Sequence, residues 1–408
     1  MKCRSCKLEV DSVFIDLGSS PPSNSYLTNK TISEPEKWFP LKVMVCNHCW
    51  LVQTEDFVGA DEMFSDDYAY FSSYSSSWIE HAKKYTNEMI ERFDLNRNSR
   101  VVEVAANDGY LLQFMKQYSI PCYGIEPTHS TAEAAKKKGI EIIEKFFGVE
   151  LAKELVAKDK QADLMVANNV LAHVPDINDF VKGFFILLKS NGVATFEFPH
   201  VLNLIEKHQF DTIYHEHYSY LSLHAVNSIF NANGLTVFDV EELSSHGGSL
   251  RVYVQKSENA YHAVSENVDK LLLKEKNAGL TSSDYYHGFH KQVERIKIEL
   301  LDFLVTAKKQ QKKVIAYGAA AKGNTLLNCL GVRSDLIGYV VDKNPAKQGK
   351  YMPGSRIPIV NEEQIKRDKP DYVLILPWNL SKEIIQQLQY VRKWGAQFVT
   401  AIPELEIK

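Results

Sequence analysis

The chain has 408 residues, enough for two or three domains but too many for one compact core. A hydrophobic content of 45% and a charged content of 24% are ordinary for a globular protein, and the net charge of -4 gives no electrostatic reason to expect nucleic acid or an anionic membrane as a partner. No apolar stretch approaches the ~20 residues of a membrane-spanning helix and the amino terminus lacks a signal-peptide core, so we expect a cytoplasmic protein.

Two CxxC pairs mark the amino-terminal region, which we assign to residues 1–70. Cys3 and Cys6 form the first pair, and Cys46 and Cys49 form the second. Each pair can place two thiolates on one side of a tight turn, and two such turns complete a tetrahedral zinc site. Four thiolates leave no ligand position for water, so the predicted zinc is structural. The alternative is a pair of reduced turns without metal.

Tyrosine and serine are crowded in residues 66–78, at the end of this region. An aromatic hinge that packs between domains would explain the pattern. A lid over an active site would explain it equally well, because a phenol can exchange hydrogen bonds with a sugar hydroxyl or an oxyanion. If the stretch is a lid, Tyr68 is the first candidate for the active site and Tyr70 the second.

Strand and helix patterns alternate through residues 71–255, which predicts a mostly parallel, doubly wound sheet. A strand at 100–104 runs into the tight turn 105–109 (AANDG) and a helix, and a second short strand ends in Glu126. An acid about 20 residues after such a turn can accept hydrogen bonds from a ribose diol. The fingerprint GxGxxG is absent from this region, which argues against NAD binding here.

The segment Tyr214-His215-Glu216-His217 follows a predicted buried strand at 192–198, and such loops carry the chemistry of open α/β sheets. Removing a proton from a carbon next to a ketone requires a base and a hydrogen-bond donor for the enolate oxygen. A histidine can be the base, a tyrosine or a second histidine the donor, and a carboxylate can orient the imidazole. Alternatives are a structural hydrogen-bond network, which we favour for His215, and a metal site that lacks an evident third ligand.

A glycine-containing turn at Gly247 and Gly248 precedes Arg251. Two glycines allow the backbone to approach a ligand closely, and a guanidinium offers a bidentate fork for phosphate or a sugar oxygen. The alternative is a plain hairpin turn with an exposed cation.

The remaining residues, 256–408, begin with a helical connector and continue as a second strand–turn–helix unit. The turn Gly318–Gly323 (GAAAKG) opens a predicted helix, whose amino-terminal amides could hold a pyrophosphate beside Lys322. This predicts a Rossmann-like domain. An NAD site is only weakly indicated, because GAAAKG is not GxGxxG. Alternatively, this unit duplicates the central one and has a purely structural role.

Residues 102–109 and 124–127 resemble the donor site of class I S-adenosylmethionine-dependent methyltransferases. With the CxxC pairs in front and Tyr-His-Glu-His behind, the whole chain resembles the sugar C-methyltransferase family. Members of that family methylate a ring carbon, typically carbon 3, of nucleotide-linked 4-keto-deoxysugars. The resemblance implies an α/β protein with a small zinc-binding amino-terminal domain, a central class I methyltransferase sheet and a carboxyl-terminal Rossmann-like domain.

The resemblance also implies roles for individual residues. His217 is the expected base, with Tyr214, Glu216 and Tyr68 beside it. The expected S-adenosylmethionine contacts are Glu103, Ala105, Asn107, Gly109, Glu126 and Asn168, and the expected substrate contacts are Asn169, Arg251, Lys322 and Tyr70. The chain departs from the family at Ala105, where glycine is usual, and we expect alanine to be tolerated only if its φ stays negative.

The sequence therefore predicts a transferase that binds S-adenosylmethionine on the central sheet and a nucleotide-diphosphate sugar, usually thymidine-linked, against the carboxyl-terminal domain. No nucleic acid or membrane partner is expected, and the protein is expected to be a monomer or weak dimer. Two alternatives remain: a nicotinamide-dependent nucleotide-sugar oxidoreductase, and a non-catalytic nucleotide-sugar-binding protein held together by zinc.

Overall fold

The computed structural model describes residues 1–57 and 71–408. The strands are β1 (Ser12–Ser20), β2 (Phe39–Val45), β3 (Val52–Thr54), β4 (Val101–Val104), β5 (Cys122–Ile125), β6 (Glu141–Ile143), β7 (Ala162–Asn168), β8 (Leu188–Pro199), β9 (Ser219–Tyr220), β10 (Leu235–Leu243), β11 (Ser249–Lys256), β12 (Val314–Tyr317), β13 (Val340–Val341), β14 (Ile359–Val360), β15 (Tyr372–Ile375), β16 (Gln397–Thr400) and β17 (Glu406–Ile407).

The α-helices are α1 (Ser76–Arg92), α2 (Leu112–Gln117), α3 (His129–Lys137), α4 (Val149–Val156), α5 (Ile177–Leu187), α6 (Val201–Glu206), α7 (Leu223–Ala232), α8 (Glu266–Ala278), α9 (Ser283–His287), α10 (Phe289–Lys309), α11 (Ala321–Leu330), α12 (Glu363–Asp368) and α13 (Ser381–Gln387). Short 3₁₀ turns occur at Ser72–Tyr74, Leu171–His173, Phe210–Thr212, Ser245–Gly247, Ser257–Asn259, Trp378–Leu380 and Gln389–Trp394.

The central sheet has seven strands in the order β10-β11-β8-β7-β4-β5-β6. Strands β4 to β8 pair in parallel, while β11 and β10 form an antiparallel edge. The chain order reverses at β4, which lies between β5 and β7. Open α/β sheets bind ligands beyond the carboxyl ends of the strands at such a reversal. The predicted mostly parallel sheet is confirmed, with a hairpin edge in addition.

Strand β7 shows why this sheet forms. Met165 and Ala167 pack into the core on one face, and Leu164 and Val166 pack into the core on the other. A strand covered on both faces reads as a continuous apolar run, which is typical of a parallel sheet between two helical layers. Helix α5 then begins where Asp176 accepts hydrogen bonds from the first amides of the helix, so the loop between β7 and α5 has a defined end.

The amino-terminal sheet has the order β1-β2-β3-β9, and all its pairs are antiparallel. Its last strand, β9, comes from residues 219–220, directly after the Tyr-His-Glu-His segment. Val52 pairs with Tyr220 and Gln53 with Ser219. The zinc-binding domain is therefore hydrogen-bonded to the loop that carries the expected base. The proposed domain limit at residue 70 lies outside the described residues.

The carboxyl-terminal part contains the predicted helical connector (α8, α9 and α10) and a six-stranded sheet in the order β14-β13-β12-β15-β16-β17. All neighbours pair in parallel except β17, which confirms a Rossmann-like unit. The turn after β12 and the helix α11 that follows it contact the other two parts of the protein. The Tyr26 hydroxyl donates to Ala319 O at 2.6 Å, and the Thr325 hydroxyl donates to Ile213 O at 2.8 Å.

Among the described residues, none of the helices has both the length and the apolar character required to span a bilayer.

Candidate active site

The four paired cysteines converge in the amino-terminal domain. Cys3 Sγ lies 3.5 Å from Cys49 Sγ, Cys6 Sγ lies 3.6 Å from Cys46 Sγ, and all four sulfur atoms lie within 4.8 Å of one another. Zinc–sulfur bonds of about 2.3 Å in a tetrahedron separate the sulfur atoms by about 3.8 Å, so the set fits zinc. Since cysteines fill all four ligand positions, the zinc is structural, as predicted.

A cavity of about 530 Å³ lies beyond the carboxyl ends of β4, β5 and β7, between the loop 212–217 and the start of α11. The predicted site residues that line it are Ala105, Asn107, Glu126, Asn168, Asn169, Tyr214, Glu216, His217 and Lys322. Residues predicted to serve a donor, a substrate and a base thus border one chamber.

The turn after β4 forms one wall of this cavity. Ala105 has φ +59°, so the expectation of a negative φ is wrong, and the alanine occupies a region that favours glycine. Asn107 N and Thr128 N each donate to the Glu126 carboxylate at 2.9 Å. Burial raises the pKa of Glu126, and these two amides act against the increase. The acid at the end of β5 is thereby held at the cavity edge.

Glu103 and Gly109 do not line the cavity. Glu103 is buried beside Tyr110, and burial raises its pKa well above the ordinary value. Gly109 has φ +73°, and a Cβ at this position would lie 2.4 Å from Ile140 Cδ1. Both residues support the turn from the core, and their contact with S-adenosylmethionine stays a prediction.

Polar groups at the end of β7 form the wall next to this turn. The side chain of Asn168 is buried beside Tyr110. The neighbouring Asn169 lies 3.1 Å (Nδ2 to Nε2) from His246, which the sequence analysis had not assigned to the site. Burial lowers the pKa of His246 to about 4, so its ring is neutral.

The imidazole of His217 has one nitrogen committed. Nδ1 lies 2.7 Å from Thr212 O, and because a carbonyl only accepts, Nδ1 carries the hydrogen and donates it. Nε2 is then the nitrogen that can take up a proton. The sequence analysis expected a carboxylate to orient this ring, but the carbonyl of Thr212 does so.

Two aromatic rings pack against His217. The ring centroids of Tyr214 and His173 lie 3.9 Å and 4.7 Å from that of His217. Burial lowers the pKa of His217 well below its ordinary value, and His173 and Lys322 add to the decrease. Burial also lowers the pKa of His173 to about 4. Both imidazoles are therefore neutral near pH 7.

The carboxyl group of Glu216 is bound from the amino-terminal domain. Asn24 Nδ2 lies 2.8 Å from each of its oxygens. Burial raises the pKa of Glu216 to about 7, against the lowering effects of Asn24 and of the charge on Lys347. Lys347 belongs to the carboxyl-terminal domain and also lines the cavity. All three parts of the chain thus meet at this acid.

The start of α11 forms the cavity wall of the carboxyl-terminal domain. Ala320 precedes the helix and its side chain cannot cap the first amides of the helix. Lys322 Nζ donates to Asn379 Oδ1 at 2.8 Å and lies 4.6 Å from the Trp378 ring. Burial lowers the pKa of Lys322, and Asp211 opposes that effect. The combination suits an anionic ligand.

Arg251 lies in β11 behind the cavity and is only 2% exposed. Its guanidinium lies 3.3 Å from carboxylate oxygens of Glu88, Glu197 and Glu241, and 4.8 Å from the centroid of the Tyr85 ring. The fork is thus occupied by internal carboxylates and is not available to a substrate. The region is a hairpin, as the alternative supposed, but its arginine is buried and is not an exposed cation.

Tyr68 and Tyr70 lie outside the described residues. The same Tyr/Ser stretch nevertheless reaches the cavity further on, because Ser72 N donates to Asn107 Oδ1 at 2.9 Å. Cavity residues that the sequence analysis did not assign to the site include Asn24, Ser72, Trp78, His173, His246 and Lys347.

Comparison with protein families gives three matches along the chain. Residues 3–64 match a zinc-binding domain, residues 78–240 match a methyltransferase domain, and residues 244–403 match a C-methyltransferase C-terminal domain. The chain is 33% identical over 403 residues to C-methyltransferase NovU from Streptomyces niveus, covering 99% of this chain and 96% of that protein.

Solved methyltransferase structures are similar to part of the chain. An S-adenosylmethionine-dependent methyltransferase from Clostridium acetobutylicum ATCC 824 has 10% identity and a TM-score of 0.36, covering 44% of this chain and 92% of its own. Magnesium protoporphyrin IX methyltransferase from Synechocystis PCC 6803 with bound SAH has 13% identity and a TM-score of 0.35, covering 44% of this chain and 83% of its own.

Proposed function

The chain belongs to the C-methyltransferase family, and on that premise we propose that it transfers a methyl group from S-adenosylmethionine to carbon 3 of a thymidine-linked 4-keto-deoxysugar. Making a carbon–carbon bond requires an electrophilic methyl group, a carbon that has lost a proton, and alignment of the two. The cavity offers residues suited to each task. A C-methyltransferase needs no nicotinamide, so the oxidoreductase alternative is not favoured.

The observation that carries the proposal is the hydrogen bond from His217 Nδ1 to the carbonyl of Thr212. It fixes the tautomer in which Nε2 bears the lone pair. Because burial lowers the pKa of this imidazole, the ring is neutral and ready to accept a proton at neutral pH. A ketone at carbon 4 makes the proton on carbon 3 acidic enough for such a base.

The wall formed by β4, β5 and β7 suits S-adenosylmethionine. When bound, this donor supplies the electrophilic methyl group that carbon 3 takes up. Glu126 lies at the cavity edge, where its carboxylate can accept from a ribose hydroxyl, and Asn107 lies beside it. Asn168 is buried in the same wall and is a further candidate contact for the donor.

The wall formed by α11 suits the diphosphate of the sugar nucleotide. The uncapped helix start offers backbone amides, and Lys322 and Lys347 bring two cations to the same wall. An anion bound there would place the attached sugar near the loop 212–217, which forms the adjoining wall of the cavity. Asn169 is then a further candidate contact for the sugar.

The proton transfer uses groups of this chain only. His217 Nε2 takes the proton from carbon 3, and the electron pair of the broken C–H bond moves towards the ketone oxygen to give an enolate. The imidazole becomes positively charged beside that enolate, which stabilises it. Tyr214 and the neutral His173 pack against the same ring and are candidates to donate a hydrogen bond to the oxygen.

A His217→Gln variant tests the proposal, because glutamine retains a hydrogen-bond donor but is not a base. We expect turnover to fall roughly 10²- to 10⁴-fold with unchanged affinity for S-adenosylmethionine. Turnover is measured as label transferred from S-adenosylmethionine to thymidine-linked ketosugars, with the methylated carbon located by mass spectrometry and NMR. Without donor, wild type should also exchange the carbon-3 proton with deuterated solvent.

The matched control is His290→Gln, which removes an exposed imidazole on α10 that pairs with Glu294. It should behave as wild type. Exchange at carbon 3 that survives His217→Gln would refute the role of the base, and a wild-type protein that labels no ketosugar would refute the proposed substrate.

A further inference from the structure

Arg4 is a buried cation whose role is not evident from the sequence. It lies inside the first zinc turn, between Cys3 and Cys6, and is only 6% exposed. A guanidinium has five N–H donors, and arginine is seldom buried unless these are satisfied. Asp56 neutralises the charge, with its Oδ2 at 2.8 Å from Arg4 Nη1. The other N–H groups of the guanidinium donate to residues outside the zinc turn.

These donors contact the two loops that carry the neutral imidazoles of the cavity. Nε donates to Tyr218 O at 3.1 Å, and Tyr218 directly follows His217. Nη1 lies 3.3 Å from Pro175 O, two residues after His173. One side chain thus links the two loops whose imidazole rings pack against each other.

Other contacts fix the same short stretch of backbone. Thr54 accepts from Arg4 Nη2 at 2.7 Å through its carbonyl, and its hydroxyl donates to His217 O at 3.1 Å. Tyr218 N donates to Ala172 O at 2.8 Å. Since the His217 ring is itself tied to backbone of this loop, the position of Nε2 follows the backbone at 217–218.

The zinc turn in turn fixes Arg4. Arg4 N donates to Gln53 Oε1 at 2.9 Å, and Gln53 Nε2 lies 3.3 Å from Cys3 Sγ. The backbone of Arg4 is therefore part of the cysteine turn, and its guanidinium extends from a rigid base. A displacement of about 1 Å at a reacting group can lower the rate on the order of 10²-fold. A side chain that fixes the position of these loops can therefore affect the rate of the reaction.

We propose that Arg4 is a positioning residue that holds the loops of His217 and His173 in fixed positions relative to each other. The zinc turn contributes to the reaction because it holds Arg4 in place. This inference rests on the proposed function of His217 as the base.

The test compares Arg4→Gln and Arg4→Lys with wild type. We expect kcat for Arg4→Gln to fall roughly 10- to 100-fold, with zinc content and the KM for S-adenosylmethionine unchanged. Lysine keeps the charge but lacks the planar guanidinium whose separate nitrogens reach both loops, so Arg4→Lys should recover only part of the loss. The matched control is Lys2→Gln, which removes an exposed cation directly before the same turn and should keep the wild-type kcat.

A second readout does not depend on methyl transfer. The buried Nδ1–H of His217 should give a slowly exchanging NMR signal in ¹⁵N-histidine-labelled protein, assigned by its loss in His217→Gln. We expect its exchange with solvent to accelerate at least tenfold in Arg4→Gln. If wild type transferred no methyl group, the proposed function would fail, while this signal would still decide the role of Arg4.

An unchanged kcat together with an unchanged exchange rate in Arg4→Gln would overturn the proposal. Should that variant lose zinc, Arg4→Lys and Thr54→Val decide instead, because Thr54→Val removes the hydroxyl bond to His217 O and leaves the zinc turn intact. Normal kcat in both would also overturn it.

Discussion

Glu216 is a carboxyl group whose ionisation is linked to folding. Burial raises its pKa to about 7, compared with about 4.3 in an unfolded chain. Between these two values the folded protein binds a proton that the unfolded chain does not. This group therefore contributes stability that is complete below about pH 4 and is lost as the pH rises through about 7.

Replacing Glu216 by glutamine removes this dependence, because an amide does not ionise. We expect the melting temperature of Glu216→Gln to increase relative to wild type between pH 5 and pH 8, by an amount equivalent to roughly 2–3 kcal/mol. Thermal unfolding across this range is the measurement, with the exposed Glu404→Gln as the control. A difference between variant and wild type that stays constant with pH would contradict the prediction.

Among individual residues, the sequence could group only those site residues that lie close together in the chain. His217 and Tyr214 are close in the chain, so their joint role could be inferred without a structure. Asn24 and His173 reach the cavity only through long-range folding, and an asparagine in a loop gives no signal by itself. Arg251 was misjudged because its partners, among them Glu88, come from other elements of the fold.

At the scale of elements, the turn between β10 and β11 joins the central sheet to the carboxyl-terminal domain. Gly247 has φ +94°, and a Cβ there would lie 2.5 Å from Trp378 Cη2 and 2.8 Å from Gln209 Nε2. Gln209 Nε2 also donates to Gly247 O at 2.9 Å. The turn carries His246 into the cavity wall, so we expect its position to affect both stability and substrate binding.

We expect Gly247→Ala to destabilise the protein by about 2–3 kcal/mol, from both the left-handed backbone and the clash, and to raise the KM for the sugar nucleotide. Gly331→Ala is the matched control, because Gly331 has φ +69° but no atom lies within 4 Å of the position that an alanine Cβ would take there. That control should lose only about 1 kcal/mol. Equal losses in melting temperature for the two variants would contradict the predicted clash.

The elements that the sequence predicted best are the long apolar strands. Strand β7 is recognisable because both of its faces are buried, and the β4 turn because a strand runs directly into Asn-Asp-Gly and a helix. Strand β9 could not be predicted, since it has two residues and exists only because β3 offers an unpaired edge. Strand β13 has only two residues, Val340–Val341, both paired with β12.

At the scale of the whole molecule, the zinc site and the central sheet share one hydrophobic core, which includes Cys3, Cys46 and Cys49 together with residues of β4 and β7. Removing zinc should therefore affect more than the amino-terminal domain. Because structural zinc contributes directly to folding, we expect chelation to lower the melting temperature by on the order of 10 °C and to abolish turnover.

Differential scanning calorimetry and methyl-transfer assays before and after chelation test this, with re-addition of zinc as the control for reversibility. Cobalt(II) bound to the apoprotein should give the absorption of a tetrahedral thiolate site. Apoprotein that melts and turns over like the holoprotein would contradict the shared-core argument.

Residues 26–36 of the amino-terminal domain also contact the carboxyl-terminal domain. Leu27 pairs with Tyr351, and Arg356 Nε donates to Glu36 Oε2 at 2.9 Å, in addition to the contact between Tyr26 and Ala319. A chimaera in which only residues 256–408 come from a relative would lose these contacts between the two domains. We therefore expect a chimaera made to test nucleotide binding to fold stably only if residues 20–36 and the carboxyl-terminal domain come from the same relative.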